Sequence, residues 1–235
     1  MDATAGTAAQ ACCSSASAMP QDQKPKEQKP GMLQQQQQQE EKQEEKKYEK
    51  PPIPPKFRKI AVLGFPSVGK SSLTVQFAQD EFLNSYDPTI ENTFNKMLTV
   101  DGQEFHLKLV DTAGQDEYSP FQQFYSLDVH GYVLVYSVTS NRSFQVIQSI
   151  HDKLKDIIGR VRVPMLLVGN KKDLSMDRVI SYEEGKKLAN SWHAAFIEST
   201  AKENEAVQEV FRQIVLEMER IDKNCMRSKF SCCVM

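Results

Sequence analysis

Gly64-Phe65-Pro66-Ser67-Val68-Gly69-Lys70-Ser71 is the stretch whose reading decides the fold. It follows an apolar run, Lys59-Ile60-Ala61-Val62-Leu63, and leads into Ser72-Leu73-Thr74-Val75-Gln76-Phe77, a pattern that suits a helix. The spacing G-x-x-x-x-G-K-S describes a phosphate cradle, because two glycines let the backbone curl until successive amide N–H groups point at phosphate oxygens. Ser67, Val68, Gly69, Lys70, Ser71 and Ser72 are the residues placed to do this. Lys70 reaches the outer phosphates, and the Ser71 hydroxyl can ligate magnesium at the start of a helix whose dipole favours negative charge. A ligand-free strand-to-helix turn is the alternative, and the strand, loop and helix context that the motif requires weighs against it.

Outward from this loop, the chain divides by composition. Residues 1–55 open on Ala and Ser and continue through Gln, Lys, Glu and Pro, with Gln34 to Gln39 unbroken. Such a segment has almost no large apolar side chains to offset the entropy of ordering, so a disordered extension is expected. Pro51-Pro52-Ile53-Pro54-Pro55 reads as a stiff spacer, or as a docking arm for a proline-recognising module. Neither a signal peptide nor a membrane-spanning apolar run is visible. The cysteines sit at the ends, at 12, 13, 225, 232 and 233, which excludes a disulfide framework for the domain and fits a reducing compartment. A net charge of -2 without a basic stripe argues against a nucleic-acid platform.

From 56 to 221 apolar runs alternate with helical patterns. Strands are expected at 58–64, 92–100, 104–110, 131–138, 163–169 and 195–199, and helices at 70–79, 143–158, 181–191 and 203–221. Continuous apolar runs such as Tyr132-Val133-Leu134-Val135 suit strands buried on both faces, whereas Asp101-Gly102 signals a hairpin. The expected fold is therefore α/β, with a mostly parallel six-stranded sheet, one antiparallel strand and helices on both faces. Ligands bind at the carboxyl ends of strands in such folds. Two further motifs fall there.

The first is Val110-Asp111-Thr112-Ala113-Gly114-Gln115. An apolar strand ending in Asp beside a phosphate loop positions magnesium, with Asp111 holding it directly or through water while Ser71 ligates it. Gly114 lets its amide approach a terminal phosphate, and Gln115 can orient an attacking water. The second is Asn170-Lys171-Lys172-Asp173. Guanine presents two donors, N1 and its 2-amino group, that one carboxylate can accept, and adenine has no such edge. Asp173 is thus the guanine reader, Asn170 can hold the loop, and the Lys171 stem can cover the ring.

These motifs together with Thr200-Ala201-Lys202 resemble those of small GTPases of the Ras superfamily, and so imply a P-loop small G domain. The stretch Tyr86-Asp87-Pro88-Thr89-Ile90-Glu91-Asn92-Thr93-Phe94, with Asp116-Glu117-Tyr118-Ser119, is similar to the Rheb family more specifically. The likeness runs from about 58 to 221 and resumes at the last four residues, while the first 55 residues are an extension relative to that family.

The resemblance implies that Phe82 packs across the guanine and that Ala201 supplies an amide to the base carbonyl. Thr89 would ligate magnesium only when the third phosphate is present, so that GTP closes two loops and GDP releases them. Lys70, Gln115 and Tyr86 are the implied catalytic set, with Tyr86 over the nucleotide and Gln115 in that family turned from the water. No side chain in the motifs is an obvious strong base, so slow unaided hydrolysis and an activating partner are expected. The resemblance names that partner as a tuberin-type GTPase-activating protein, which supplies an asparagine, and the effector as the target-of-rapamycin kinase. A monomer is expected.

Two departures stand out. Pro66 occupies a position where Ras-like proteins commonly have Gly and the Rheb family has Arg; it fixes its backbone and removes an amide donor, and is expected to alter hydrolysis rather than nucleotide binding. Thr200 replaces the usual Ser, a change expected to matter little. The end of the sequence, Cys232-Cys233-Val234-Met235, fits C-a-a-X and predicts a farnesyl group on Cys232 at the end of a variable tail, 222–235. With Lys223, Arg227 and Lys229 as a thin basic patch, attachment to the cytoplasmic face of endomembranes (lysosome, Golgi or endoplasmic reticulum), in exchange with the cytosol, is expected to be weak. A hydrolysing switch, a permanently GTP-loaded binding module and an ATP-using enzyme are the competing functions. Asn170 and Asp173 argue against the last.

Overall fold

The computed structural model describes residues 54–82, 89–116, 118–119, 128–159 and 163–231, with backbone alone for 225–231. The order is β1 (Lys56–Gly64), α1 (Lys70–Gln79), β2 (Glu91–Val100), β3 (Gln103–Thr112), β4 (Gly131–Ser137), α2 (Asn141–Ile158), β5 (Met165–Asn170), α3 (Tyr182–Trp192), β6 (Ala195–Glu198) and α4 (Asn204–Ser231), with a short 3-10 turn at Ser175–Asp177. One six-stranded sheet runs β2-β3-β1-β4-β5-β6. Among the described residues only the β2–β3 pair is antiparallel; Val100 faces Gln103 across an Asp101-Gly102 turn whose φ angles, +50° and +78°, are those of a type I′ hairpin.

Alternation along the buried strands divides the core. Ile60, Val62, Leu107, Leu109, Val133 and Val168 face α1 and α4, where Phe77 stacks on Phe211 at 4.1 Å. Ala61, Leu63, Tyr132, Leu134 and Leu167 face α2 and α3. Both faces of β1, β4 and β5 are therefore apolar, which explains their uninterrupted hydrophobic runs. Serines open two helices: Ser140 accepts from the Ser143 amide, and Ser181 forms a capping box with Glu184.

Observed boundaries mostly lie within two residues of those expected, and α4 is the exception. It runs on to Ser231 rather than ending near 221. The segment Asp222-Lys223-Asn224-Cys225-Met226-Arg227-Ser228-Lys229-Phe230 contains neither Pro nor Gly to stop it. Near this end, Glu219 binds Lys56 at 2.7 Å and Arg58 at 2.8 Å, and Asp222 binds Arg58 at 2.5 Å, which ties the start of β1 to α4. The opposite end of the sheet, where the parallel strands finish, carries the motif loops. Among the described residues no helix is long and apolar enough to cross a membrane.

Candidate functional site

The phosphate loop is held from behind by the loop that follows β5. Asn170, 1% exposed, donates from Nδ2 to the Val68 carbonyl at 2.8 Å, and Lys171 donates from Nζ to the Ser67 carbonyl at 2.8 Å. Gly69 is required here twice over. Its φ is +96°, and a Cβ on it would lie 2.3 Å from Asn170 Nδ2. Ser67 also takes a positive φ, +60°, at the exposed tip. Val68 is anchored in the core below.

Gly69 caps α1 without any side-chain bond, unlike the serines at α2 and α3. The first amides of α1, including those of Ser71 and Ser72, thus have no side-chain acceptor from the cap, as an anion site at a helix N-terminus needs. Lys70 is buried and donates to the Phe65 carbonyl at 3.1 Å. Burial lowers its pKa to about 8, against the opposing pull of the Asp111 charge. Its ammonium is therefore short of anionic partners, and a phosphate chain would supply them.

Asp111 closes β3 in register with Val62, is fully buried, and has no hydrogen-bond partner on either carboxylate oxygen. Burial pushes its carboxyl above the ordinary range, opposed by the nearby Ser71 hydroxyl and Lys70 charge. Ser71 Oγ and Thr89 Oγ1 meet at 2.7 Å. Two hydroxyls and an unpartnered buried carboxylate are a hard-oxygen set, and they fit a magnesium ion rather than a softer metal.

Beyond Asp111, the Thr112 hydroxyl donates to the Val62 carbonyl at 2.8 Å and the Gln115 amide donates to the Gly64 carbonyl at 3.0 Å. Gly114 lies against Pro66. The Gln115 side chain is 6% exposed, so it is folded into the protein rather than offered to solvent.

At the base-reading loop, Asp173 Oδ1 accepts from the Thr200 hydroxyl at 2.8 Å and Oδ2 pairs with Lys202 Nζ at 2.8 Å. Burial raises the Asp173 carboxyl, but the Lys202 and Thr200 bonds outweigh it and hold the group below its usual value. It stays an acceptor-only carboxylate near neutral pH, as a reader of two guanine donors must. Ala201 is buried beside it, and the Asn170 Oδ1 acceptor has no partner. Phe82 is 38% exposed just beyond α1 and outside both core clusters, so a place in the core does not account for it. Tyr86 and Cys232 lie outside the described residues.

Sequence reasoning missed three of these features: the Thr200 hydroxyl that orients Asp173, the Lys171 ammonium on the Ser67 carbonyl, and the Pro66–Gly114 contact. The first had a signal, since a Thr keeps the Ser hydroxyl at that position. The other two depend on chain crossings that no local pattern encodes.

A phosphate loop, a buried Asp at the end of β3 and a guanine-type loop after β5, all at the carboxyl end of the parallel strands, define a nucleotide-hydrolysing G domain. The Ras family model matches residues 59–220. The chain belongs to the Ras family of small GTPases: it binds GTP and hydrolyses it. Within that family it is 66% identical to the GTP-binding protein Rheb of Rattus norvegicus over 180 residues, which cover 77% of this chain and 98% of that protein. It is 65% identical to GTP-binding protein Rheb of Homo sapiens over the same shares. The GTP-binding protein Rheb homolog of Drosophila melanogaster is 55% identical over 172 residues, 73% of this chain and 94% of that protein.

Proposed function

We propose that this GTPase is a slow, magnesium-dependent molecular switch tethered to endomembranes by a farnesyl group on Cys232. The observation that carries the switch is the Ser71–Thr89 hydroxyl pair beside the unpartnered Asp111 carboxylate. Ser71, Thr89 and Asp111 are the residues that would hold Mg2+. A bound Mg2+ would supply charge neutralisation at the phosphate oxygens.

In hydrolysis a water oxygen bonds to the outer phosphorus while the bond to the bridging oxygen breaks, GDP leaves with the electron pair, and the proton the water gives up ends on a phosphate oxygen. Lys70 and the amides of the loop stabilise the charge that develops on the phosphate oxygens. Thr89, a magnesium ligand only while the third phosphate is present, and the Gly114 amide, which would approach that phosphate, hold their two loops closed, and loss of the phosphate frees them. Asn170 braces the loop, while Asp173, with Thr200 and Lys202 behind it, selects guanine. The buried Gln115 side chain supports a low unaided rate and a need for an activating protein.

The likeness to the Rheb proteins supports a tuberin-type activator and, in the GTP state, stimulation of the target-of-rapamycin kinase through the switch loops around Thr89 and Gly114. The domain at 56–221 is then preceded by a Gln- and Pro-rich extension, of which residues 1–53 lie outside those described, and followed by a lipidated tail. Single-turnover hydrolysis of bound GTP, with and without a tuberin-type activator, tests the switch. Slow hydrolysis that the activator accelerates is expected. A rapid unaided rate, or no response to the activator, refutes it, and copurification with adenine nucleotide refutes the base assignment.

A further inference from the structure

We propose that Pro66 is a positioning residue for GTP hydrolysis, acting by direct packing on Gly114 so that the phosphate loop and the segment after β3 are held as one unit. The inference rests on the switch reading above and adds to it the element that sets where Gly114 and Gln115 sit.

The two segments, 48 positions apart in sequence, meet at a position that leaves no room for a side chain. A Cβ on Gly114 would lie 2.5 Å from Pro66 Cα, 2.6 Å from its Cγ and 2.7 Å from its N, so Pro66 fills the space that any side chain at 114 would need. Links on either side fix the same alignment. The Thr112 hydroxyl binds Val62 at 2.8 Å, and the Gln115 amide binds the Gly64 carbonyl at 3.0 Å. Thus residues 112, 114 and 115 are each referred to β1 or its loop, and Pro66 is the one reference made by packing alone.

Proline suits this role for two reasons. Its ring fixes φ, so the surface it presents to Gly114 cannot tilt with loop motion, and it has no amide hydrogen to compete for the phosphates. None of the bonds that brace the loop or the base reader involves Pro66: Asn170 holds Val68, Lys171 holds Ser67, and Thr200 with Lys202 holds Asp173. Pro66 therefore governs the placement of Gly114 and Gln115 and leaves nucleotide affinity to other groups. Misplacement of reacting groups by an ångström costs up to about a hundredfold in rate. Replacing a rigid ring by a methyl group is a smaller disturbance.

The experiment compares the full chain with Pro66→Ala, Gly114→Ala and the double variant, and measures single-turnover GTP hydrolysis and GDP dissociation for each, with and without the activator. Pro66→Ala is expected to slow hydrolysis by about three- to tenfold while GDP dissociation stays within about twofold. A general loosening of the fold would speed dissociation as well. Gly114→Ala, which forces the two segments apart, is expected to slow hydrolysis more. The double variant should be no slower than Gly114→Ala, because the contact through which Pro66 acts is already broken. Unchanged hydrolysis in Pro66→Ala, or losses that multiply in the double variant, overturns the proposal and leaves the switch reading standing. No hydrolysis by the unaltered chain, alone or with the activator, overturns both.

Discussion

Asn170→Ala separates holding the nucleotide from hydrolysing it. The side chain is 1% exposed and gives the Val68 carbonyl a hydrogen bond of 2.8 Å. Removing the donor leaves a buried carbonyl unsatisfied, at a cost of about 1–3 kcal/mol. Without nucleotide the loop can relax and solvate that carbonyl, whereas with nucleotide the curl of the loop is imposed, so most of the cost falls on the bound state. At about 1.4 kcal/mol per tenfold, nucleotide affinity falls about 5- to 150-fold. Asn170→Asp is expected to be worse, because it sets an acceptor, charged and buried, against the same carbonyl oxygen. Fluorescent-GDP dissociation gives the affinity loss, and single-turnover hydrolysis of preloaded GTP should stay within about threefold, since Asn170 touches the back of the loop and not the outer phosphate. Dissociation within twofold of the unaltered chain, or Asn170→Asp milder than Asn170→Ala, refutes this account of the brace.

Three other outcomes follow from the geometry. His130 accepts the Lys59 amide on Nδ1 at 3.0 Å, and burial, with the Arg58 charge, holds its pKa below 6.5. The unfolded chain then binds more protons in the window just below 6.5, so stability measured by urea unfolding should rise with pH through that window and level off above it, and His130→Gln should flatten the rise. Arg178 binds Glu198 through two bonds of 2.7 and 2.8 Å, and Arg178→Ala strands a carboxylate whose side chain is 12% exposed; a loss of about 1–3 kcal/mol, or about 3–10 °C in Tm, is expected with nucleotide dissociation little changed. EDTA should accelerate release of bound nucleotide by more than about tenfold, because the two buried Asp111 oxygens again lack a partner, and a release rate indifferent to EDTA would remove Asp111, Ser71 and Thr89 from the metal assignment.

What was legible in the sequence was what depends on neighbours in the chain. The G-x-x-x-x-G-K-S spacing, the apolar runs of β1, β4 and β5, and the Asp-Gly hairpin each encode local geometry, and each appears where expected. The base-reading Asp173 was legible as a residue, but its working environment was not. Thr200 and Lys202 reach it from beyond β6, and only the pairing of β5 with β6 brings them there. Pro66 was recognisable as a departure from a pattern, yet its partner Gly114 is 48 positions away and is set by the parallel pairing of β1 with β3. The length of α4 was misjudged for a simpler reason: the apolar face that marks a packed helix ends near Met218, while the helix itself continues.

The ion pairs that join Lys56 and Arg58 to Glu219 and Asp222 also have a mechanical consequence. Any load drawn along α4 from its carboxyl end enters the domain where β1 starts, one strand length, about 26 Å, from the phosphate loop at its other end. The Phe211, Ile214 and Met218 core contacts lie between that point and the start of the helix near the nucleotide. In the proposed lipid-anchored state, tension on the tail would meet the strut between β1 and α4 before any residue that faces the nucleotide.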